Sequence, residues 1–240
     1  MRIGNLIRWA VAIGFVGVSL MNASWMAPEP AGAMAMIGSH SEDKGDCATL
    51  EGTRRAVIDA GGPVVINANA KTGCMPAATA LTQLPRYHFI LNMEDGAKAL
   101  AVFDGLKRPI DERYGLMGDA ASVAVVRARE PKAWAFTVDE GRACFNDYVK
   151  LGWVGIVPSS CAGKTITVPI DQKWKIAGWP KRFQARMAAA GTRVILTGPD
   201  HGNGPLTGLT KLEQIPEIPR DYAGFVWVDD IALIGPAVRR

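Results

Sequence analysis

From residue 35 to the end of the chain, short runs of β-branched and aromatic residues alternate with longer helical stretches. Strands separated by helices are typical of parallel βαβ units. The sequence predicts strands over residues 35–39, 64–69, 88–93, 133–137, 153–157, 166–170, 193–197 and 224–228, with a weaker element around 113–117. This many strands with short links favours a (β/α)8 TIM barrel in a single domain over an open, doubly wound sheet.

Helices are predicted between these strands, over residues 49–60, 77–84, 96–106, 120–129, 139–151, 180–190 and 231–239. Asp139 is predicted to cap the helix that stops at Gly152, and Pro180 suits the first turn of another. The longest irregular stretch, residues 198–220, is rich in Gly and Pro. A loop of this length directly after a strand is a usual place for a segment that covers a site.

The first 35 residues differ from the rest of the chain. No charged residue occurs from 9 to 28, and Arg2 and Arg8 precede this stretch. The pattern fits a cleaved signal peptide and an uncleaved membrane anchor about equally well, and a buried core helix less well. Residues 1–35 are therefore predicted to be a signal peptide or an N-terminal membrane anchor, and residues 36–240 the barrel. Both interpretations place the barrel outside the cytoplasm.

Composition narrows the class of protein further. With 240 residues, of which 48% are hydrophobic, the chain can bury a sizeable core, which excludes a disordered tail. The net charge is +4, and no run of five Lys or Arg residues occurs. A nucleic-acid partner is therefore not expected.

The predicted export determines how the four cysteines are interpreted. An even number of cysteines in an oxidising compartment permits up to two disulfides. Cys144 and Cys161 close a short loop, which leaves Cys47 and Cys74 as the second pair. The alternative is four buried free thiols, because Cys packs well as a small hydrophobic residue.

Polar residues at the predicted carboxyl ends of the strands mark the candidate site, since barrel active sites lie at that end. Asn67 and Asn69 are two residues apart on one strand, so their side chains point to the same face. Asn92 ends the next strong strand. Three carboxamides on one face suit a sugar, a polyol or a phosphate, whereas the alternative is three solvated strand ends. His40 is a candidate general acid or base.

Several segments together resemble the bacterial glycerophosphodiester phosphodiesterase family. The similar segments are Ala-Trp-Ala-Phe-Thr at 133–137, Gly-Trp-Val-Gly at 152–155, Gly-Thr-Arg-Val-Ile at 191–195 and the C-terminal segment from Gly224 to Pro236. Residues 22–30 are similar to the membrane-anchored branch of that family. The resemblance covers nearly the whole chain. It implies a (β/α)8 barrel and a location at the inner membrane facing the periplasm, or secretion to the periplasm.

The catalytic motifs of the family are only partly present. His40 matches the histidine of a His-Arg-Gly motif, but Ser41 and Glu42 replace its other two residues. The segment 70–75, where the second catalytic histidine of the family is expected, contains no His. The barrel is therefore expected to be shortened in its N-terminal half.

The metal-binding motifs of the family are also changed. Asn67 and Asn69 stand in place of a Glu-x-Asp pair, and Asn92 stands in place of a third carboxylate. Glu94 and Asp95 are the only acids near the metal position. Carboxamides bring no charge, so the affinity for Mg²⁺ or Ca²⁺ is expected to fall by orders of magnitude.

Two functions follow from the resemblance. The first is hydrolysis of phosphoric diesters of glycerol in lipid metabolism, with His40 catalytic, Glu94 as a weak metal ligand and Mg²⁺ or Ca²⁺ as cofactor, the activity being impaired or lost. The alternative is a non-catalytic extracytoplasmic barrel that binds a glycerol phosphate, a polyol or a protein partner. Asn67, Asn69, Asn92 and Trp227 are its predicted ligand-binding residues.

Overall fold

A computed structural model describes residues 3–30, 32–38, 49–68, 75–200, 202 and 204–238. Its sheet has eight parallel strands in the order β5-β4-β3-β2-β1-β8-β7-β6. The strands are β1 Ala35–Gly38, β2 Val64–Asn67, β3 Phe89–Met93, β4 Tyr114–Gly118, β5 Trp134–Phe136, β6 Thr165–Pro169, β7 Arg193–Thr197 and β8 Phe225–Val228. This is a nearly closed (β/α)8 barrel, as the sequence predicts, in which β5 and β6 are not paired in the sheet.

The helices alternate with these strands. They are α1 Ile3–Met21, α2 Leu50–Ala60, α3 Ala77–Gln83, α4 Gly96–Gly105, α5 Ala120–Arg129, α6 Val138–Leu151, α7 Lys181–Ala189 and α8 Ile231–Val238. Five of them begin at a side-chain cap, and the capping residues are Thr49, Asp95, Asp119, Thr137 and Asp230. Each cap satisfies a backbone N–H group that has no partner inside the helix.

Two local predictions are wrong. Thr137 caps α6 in place of Asp139, because β5 already ends at Phe136 and the helix begins one residue earlier than expected. The apolar segment 153–157 is not a strand: α6 runs into a 3₁₀ turn over Gly152–Val154, and the next strand is β6. Trp153 and Val154 are exposed on the outside of the barrel, so an apolar run there forms no part of the sheet.

Strand residues alternate between the barrel interior and the layer below the helices. The interior contains Ile37, Ile90, Trp134, Phe136, Ile195 and Trp227, which form one cluster of buried residues. Their neighbours along the strands, such as Leu91, Val194 and Val226, belong to the larger core between the sheet and the helices. This period of two places the inward-facing polar residues of each strand at the two open ends of the barrel.

Cys144 of α6 and Cys161 of the following loop form a disulfide with a Cα–Cα distance of 4.8 Å. Both cysteines are buried. The bond joins the first helix after β5 to the segment that enters β6, so it crosses the part of the barrel where the sheet is open. Cys47 and Cys74 lie outside the described residues.

The apolar N-terminal segment forms helix α1, whose side chains are exposed from residue 7 to residue 21. Its C-terminal end is attached to the barrel. The Arg186 guanidinium donates to the Met21 carbonyl at 2.9 Å and to Asn22 Oδ1 at 3.1 Å, and Asn22 Nδ2 donates to the Trp153 carbonyl at 2.8 Å. Among the described residues, no helix combines the length and the apolar character that crossing a membrane requires.

Candidate functional site at the carboxyl end of the barrel

Two carboxamides face each other at the carboxyl ends of β2 and β3. Asn67 and Asn92 are register partners in the sheet, and Asn92 Nδ2 donates to Asn67 Oδ1 at 3.3 Å. Both lie two residues after an inward-facing apolar residue, Val65 or Ile90, so both side chains face the mouth of the barrel. Asn92 is exposed there. The structure thus brings together two of the three carboxamides that the sequence analysis singled out.

The remaining carboxamide and the candidate catalytic histidine cannot be placed. Asn69 and His40 both lie outside the described residues, which exclude 39–48 and 69–74. In the sequence, Asn69 comes two residues after the end of β2 and His40 two residues after the end of β1. Their roles stay predictions.

The described residues around the amide pair do not form a donor set that fits a hard divalent cation. Glu94 is exposed, and its backbone carbonyl accepts from Ser122 Oγ at 3.3 Å. The Asp95 carboxylate accepts from the backbone N–H groups of Ala97 and Lys98 as the cap of α4. In the described ranges, no three His, Cys, Asp or Glu residues form a group that could hold a metal ion. Neutral amides with one exposed carboxylate are a weak ligand set for Mg²⁺ or Ca²⁺.

Trp227 supports the loop that follows β7. It is 4% exposed, and its indole N–H donates to Asp229 Oδ1 at 3.1 Å. The other carboxylate oxygen of Asp229 accepts from the Gly208 N–H at 2.7 Å. Because an indole has a single hydrogen-bond donor, the polar group of Trp227 is already used within the protein.

The loop after β7 returns across the mouth of the barrel. The Gly198 N–H donates to the Thr207 carbonyl at 2.8 Å, and Leu209 forms an isolated bridge with Val228 of β8. A Cβ atom on Gly208 would lie 2.6 Å from the Asp229 backbone nitrogen, so only glycine allows this close approach. The loop predicted to cover a site does lie at this end of the barrel.

A cavity of about 130 Å³ opens on the β6–β7 side of the same mouth. Arg142 of α6, Thr167 of β6 and Thr197 of β7 line it, together with residues of the loop that follows β7. The Arg142 guanidinium donates to the Gly204 carbonyl and lies 3.5 Å from the exposed Asp139 carboxylate. Arg142 can pair with a phosphate oxygen, and the two hydroxyl groups together with the Asp200 carboxylate, which also lines the cavity, can hydrogen-bond hydroxyl groups of the same ligand.

Sequence reasoning missed Arg142 and Thr167 as site residues. Arg142 lies on a helix that the hydrophobic pattern places outside the barrel, and only its long side chain reaches the mouth. Thr167 could have been found, because it faces inward on β6 by the same period of two that marks Asn67 on β2.

No family model, no curated protein and no solved structure matches this chain. The functional assignment therefore depends on the fold and on the residues at the site.

Proposed function

We propose that this barrel binds a small polyol phosphate, of the glycerol phosphate type, at its carboxyl end. The observation that carries the proposal is the composition of the mouth. An amide pair, Asn67 and Asn92, lies on one side, and the cavity with Arg142, Thr167 and Thr197 lies on the other. Amides and hydroxyls exchange hydrogen bonds with polyol hydroxyls, and a guanidinium pairs with phosphate oxygens.

Binding without metal-dependent hydrolysis is the favoured form of this function. Metal-assisted cleavage of a phosphodiester needs charged oxygen ligands that hold the cation and polarise the phosphate. The described residues around Asn67 and Asn92 offer amides in these positions. The resemblance to glycerophosphodiester phosphodiesterases then describes the scaffold and the class of ligand, while the chemistry has been lost.

The test uses the full chain and isothermal titration with glycerol 3-phosphate. We expect saturable binding that Arg142→Gln and Asn92→Ala each weaken about tenfold or more, since a hydrogen bond to a charged group contributes about 1.5–3 kcal/mol. The matched controls are Arg54→Gln and Gln83→Ala, which change exposed residues away from the mouth. We expect both controls to bind like the wild type.

The same preparation is assayed for release of glycerol 3-phosphate from glycerophosphocholine with Mg²⁺ or Ca²⁺. Binding without turnover supports the proposal. Turnover that His40→Ala abolishes would instead assign the hydrolase function. Absence of saturable binding would reject both the ligand class and the site.

We also propose that the barrel is exported to an oxidising compartment. Arg2 and Arg8 before an uncharged apolar segment are typical of export signals, and the disulfide between Cys144 and Cys161 persists only where thiols are oxidised. Alkylation of unreduced cell extracts tests this directly. In denaturant, both cysteines should resist the reagent until the sample is reduced, and labelling of the denatured, unreduced chain would contradict export.

A further inference from the structure

A second cavity, of about 230 Å³, lies at the opposite end of the barrel. It opens between the beginnings of β5, β6 and β7, where the sheet is open between β5 and β6. Its lining includes four cationic residues from four different segments. They are Arg127, Lys132, Lys164 and Arg193. We call this space the basic cavity.

Trp134 of β5 forms one wall of the basic cavity and holds Arg193 in place. The Arg193 guanidinium lies 4.5 Å from the centroid of the indole ring, which is a cation–π arrangement. The ring is stacked on Phe136 and on Phe225, and its N–H donates to Thr165 Oγ1 at 3.0 Å across the open seam. A guanidinium placed over a fixed ring keeps its N–H edge in one orientation.

The cations of the basic cavity outnumber their carboxylate partners. Glu140 accepts two hydrogen bonds from Arg127, at 2.7 and 2.8 Å, and lies 3.6 Å from Lys164 Nζ. Within the described ranges, no carboxylate forms an ion pair with Arg193 or Lys132. Glu112 attracts Arg193 from beyond ion-pair distance, so four cations and two carboxylates leave an excess of about two positive charges, which attracts an anion.

The rim of the basic cavity is held by covalent and hydrogen bonds. Lys164 follows Cys161 by three residues, and Cys161 is bonded to α6 through the disulfide. Thr192 Oγ1 donates to the Cys161 carbonyl at 2.7 Å, and the Gly163 N–H donates to the Ala190 carbonyl at 2.9 Å. The cations are therefore arranged before a ligand arrives, which reduces the entropy lost on binding.

We propose that the basic cavity is an anion-binding site for the phosphate or pyrophosphate group of a small phosphorylated molecule. The planar guanidinium of Arg193 matches two phosphate oxygens, and Lys132 and Lys164 supply additional charge at the rim. An excess of about two positive charges suits a phosphate or pyrophosphate group better than a single carboxylate. This site is separate from the mouth at the carboxyl end and does not depend on the function proposed for it.

Isothermal titration of the full chain with inorganic pyrophosphate tests the proposal. We expect saturable binding that Arg193→Gln and Lys132→Gln each weaken about tenfold, because each removes one charged partner of the phosphate. The matched controls are Arg54→Gln on α2 and Lys98→Gln on α4, which remove the same charges from exposed positions. The controls should bind pyrophosphate within twofold of the wild type.

Further arms of the experiment separate the two ends of the barrel. Arg142→Gln should leave pyrophosphate binding unchanged, and titration with glycerol 3-phosphate shows whether a small phosphate ester reaches the same cavity. If Arg193→Gln fails to fold by circular dichroism, the exposed Lys132 carries the test alone. The proposal is overturned by absence of saturable binding, or by equal losses in the cavity variants and the controls.

Discussion

The two ends of this barrel differ in the chemistry that they present. Among the described residues, the cavity at the carboxyl end is lined by hydroxyls, the Asp200 carboxylate and one cation, Arg142, which already contacts Asp139 and Gly204, and the same end carries the amide pair. The amino end carries four cations around one buried indole, with one carboxylate shared between two of them. In (β/α)8 barrels the carboxyl end usually carries function and the amino end stability. In this barrel the larger cluster of cationic side chains lies at the amino end instead.

The cluster of cations at the amino end includes Arg193, whose burial is unfavourable for its charged form. Burial lowers the pKa of the Arg193 guanidinium below its ordinary value, and the more distant Glu112 only partly opposes this effect. A half-buried cation without an ion-pair partner reduces stability, so a residue selected for stability alone would be apolar. This charge, placed at a cost to the fold's own stability, is the reason to look for a ligand at the amino end of this barrel.

The largest expected effect concerns the wall of the basic cavity. Trp134→Ala should lower the free energy of unfolding by about 3–5 kcal/mol, because it removes a buried ring stacked on two others. Urea unfolding measures the change. Trp174→Ala is the matched control, since Trp174 is 73% exposed and should change stability little. An equal loss in both variants would show that Trp134 does not organise the amino end.

Removing the disulfide should have the next largest effect. The double variant Cys144→Ser with Cys161→Ser should lose about 3 kcal/mol, as expected for a bond that spans 17 residues. Its pyrophosphate affinity should also fall, because Lys164 lies on the loop that the bond fixes. Binding of glycerol 3-phosphate at the carboxyl end should stay close to that of the wild type. Unfolding at the wild-type urea midpoint would contradict this prediction.

Replacing both amides at the carboxyl end with carboxylates should increase the difference in charge between the two ends. Asn67→Asp with Asn92→Asp places two negative charges at positions that now lie within 3.3 Å of each other, which should cost about 1–2 kcal/mol near neutral pH. Ca²⁺ or Mg²⁺ should recover the loss, since a cation would bind only the folded form. Thermal unfolding with and without metal measures this effect. Gln83→Glu should show no dependence on metal.

The smallest effect should come from Glu140. Hydrogen bonds from Arg127 hold the pKa of the Glu140 carboxyl below its ordinary value. Its contribution is therefore complete above the ordinary carboxyl range and is lost as the pH falls through the lowered folded-state pKa. Partial exposure to solvent limits this contribution to less than about 1 kcal/mol. Glu140→Gln should flatten the acid side of the stability curve, whereas Glu51→Gln, in an exposed pair with Arg55, should not.

Glu140→Gln also tests whether the positive charge at the amino end controls anion binding there. Removing the one carboxylate shared by Arg127 and Lys164 makes the basic cavity more positive, so pyrophosphate should bind more tightly. Titration of the variant measures this change. Weaker binding would show that Glu140 acts mainly by positioning the two cations.

The local pattern of apolar and polar residues was sufficient to predict most strands and helices of the barrel. The period-two alternation of β3 and the helical spacing of α5 depend on neighbours a few residues away, so the sequence predicts both elements. The segment 153–157 misled the prediction because β-branched and aromatic residues also occur on exposed turns. Trp153 lies beside the end of α1, a contact between residues more than 100 positions apart that no local window contains.

Only part of the candidate site could be predicted from the sequence, because many of its contacts join residues that are far apart in the chain. Asn67 and Asn92 could be paired from the sequence because consecutive parallel strands of a barrel are neighbours in space. The basic cavity could not be found, because Arg127, Lys132, Lys164 and Arg193 come from segments with different local patterns. They meet only where the sheet stays open between β5 and β6.

The sequence by itself determined the (β/α)8 fold class, the uncharged N-terminal segment and the neutral amides at the ends of β2 and β3. These follow from the order and chemical type of residues along the chain. Only the tertiary structure decided that Cys144 bonds to Cys161, that Trp227 donates to Asp229, and that four cations from separate segments gather at the amino end. Those outcomes depend on distances across the barrel, which closure of the sheet sets and local sequence does not encode.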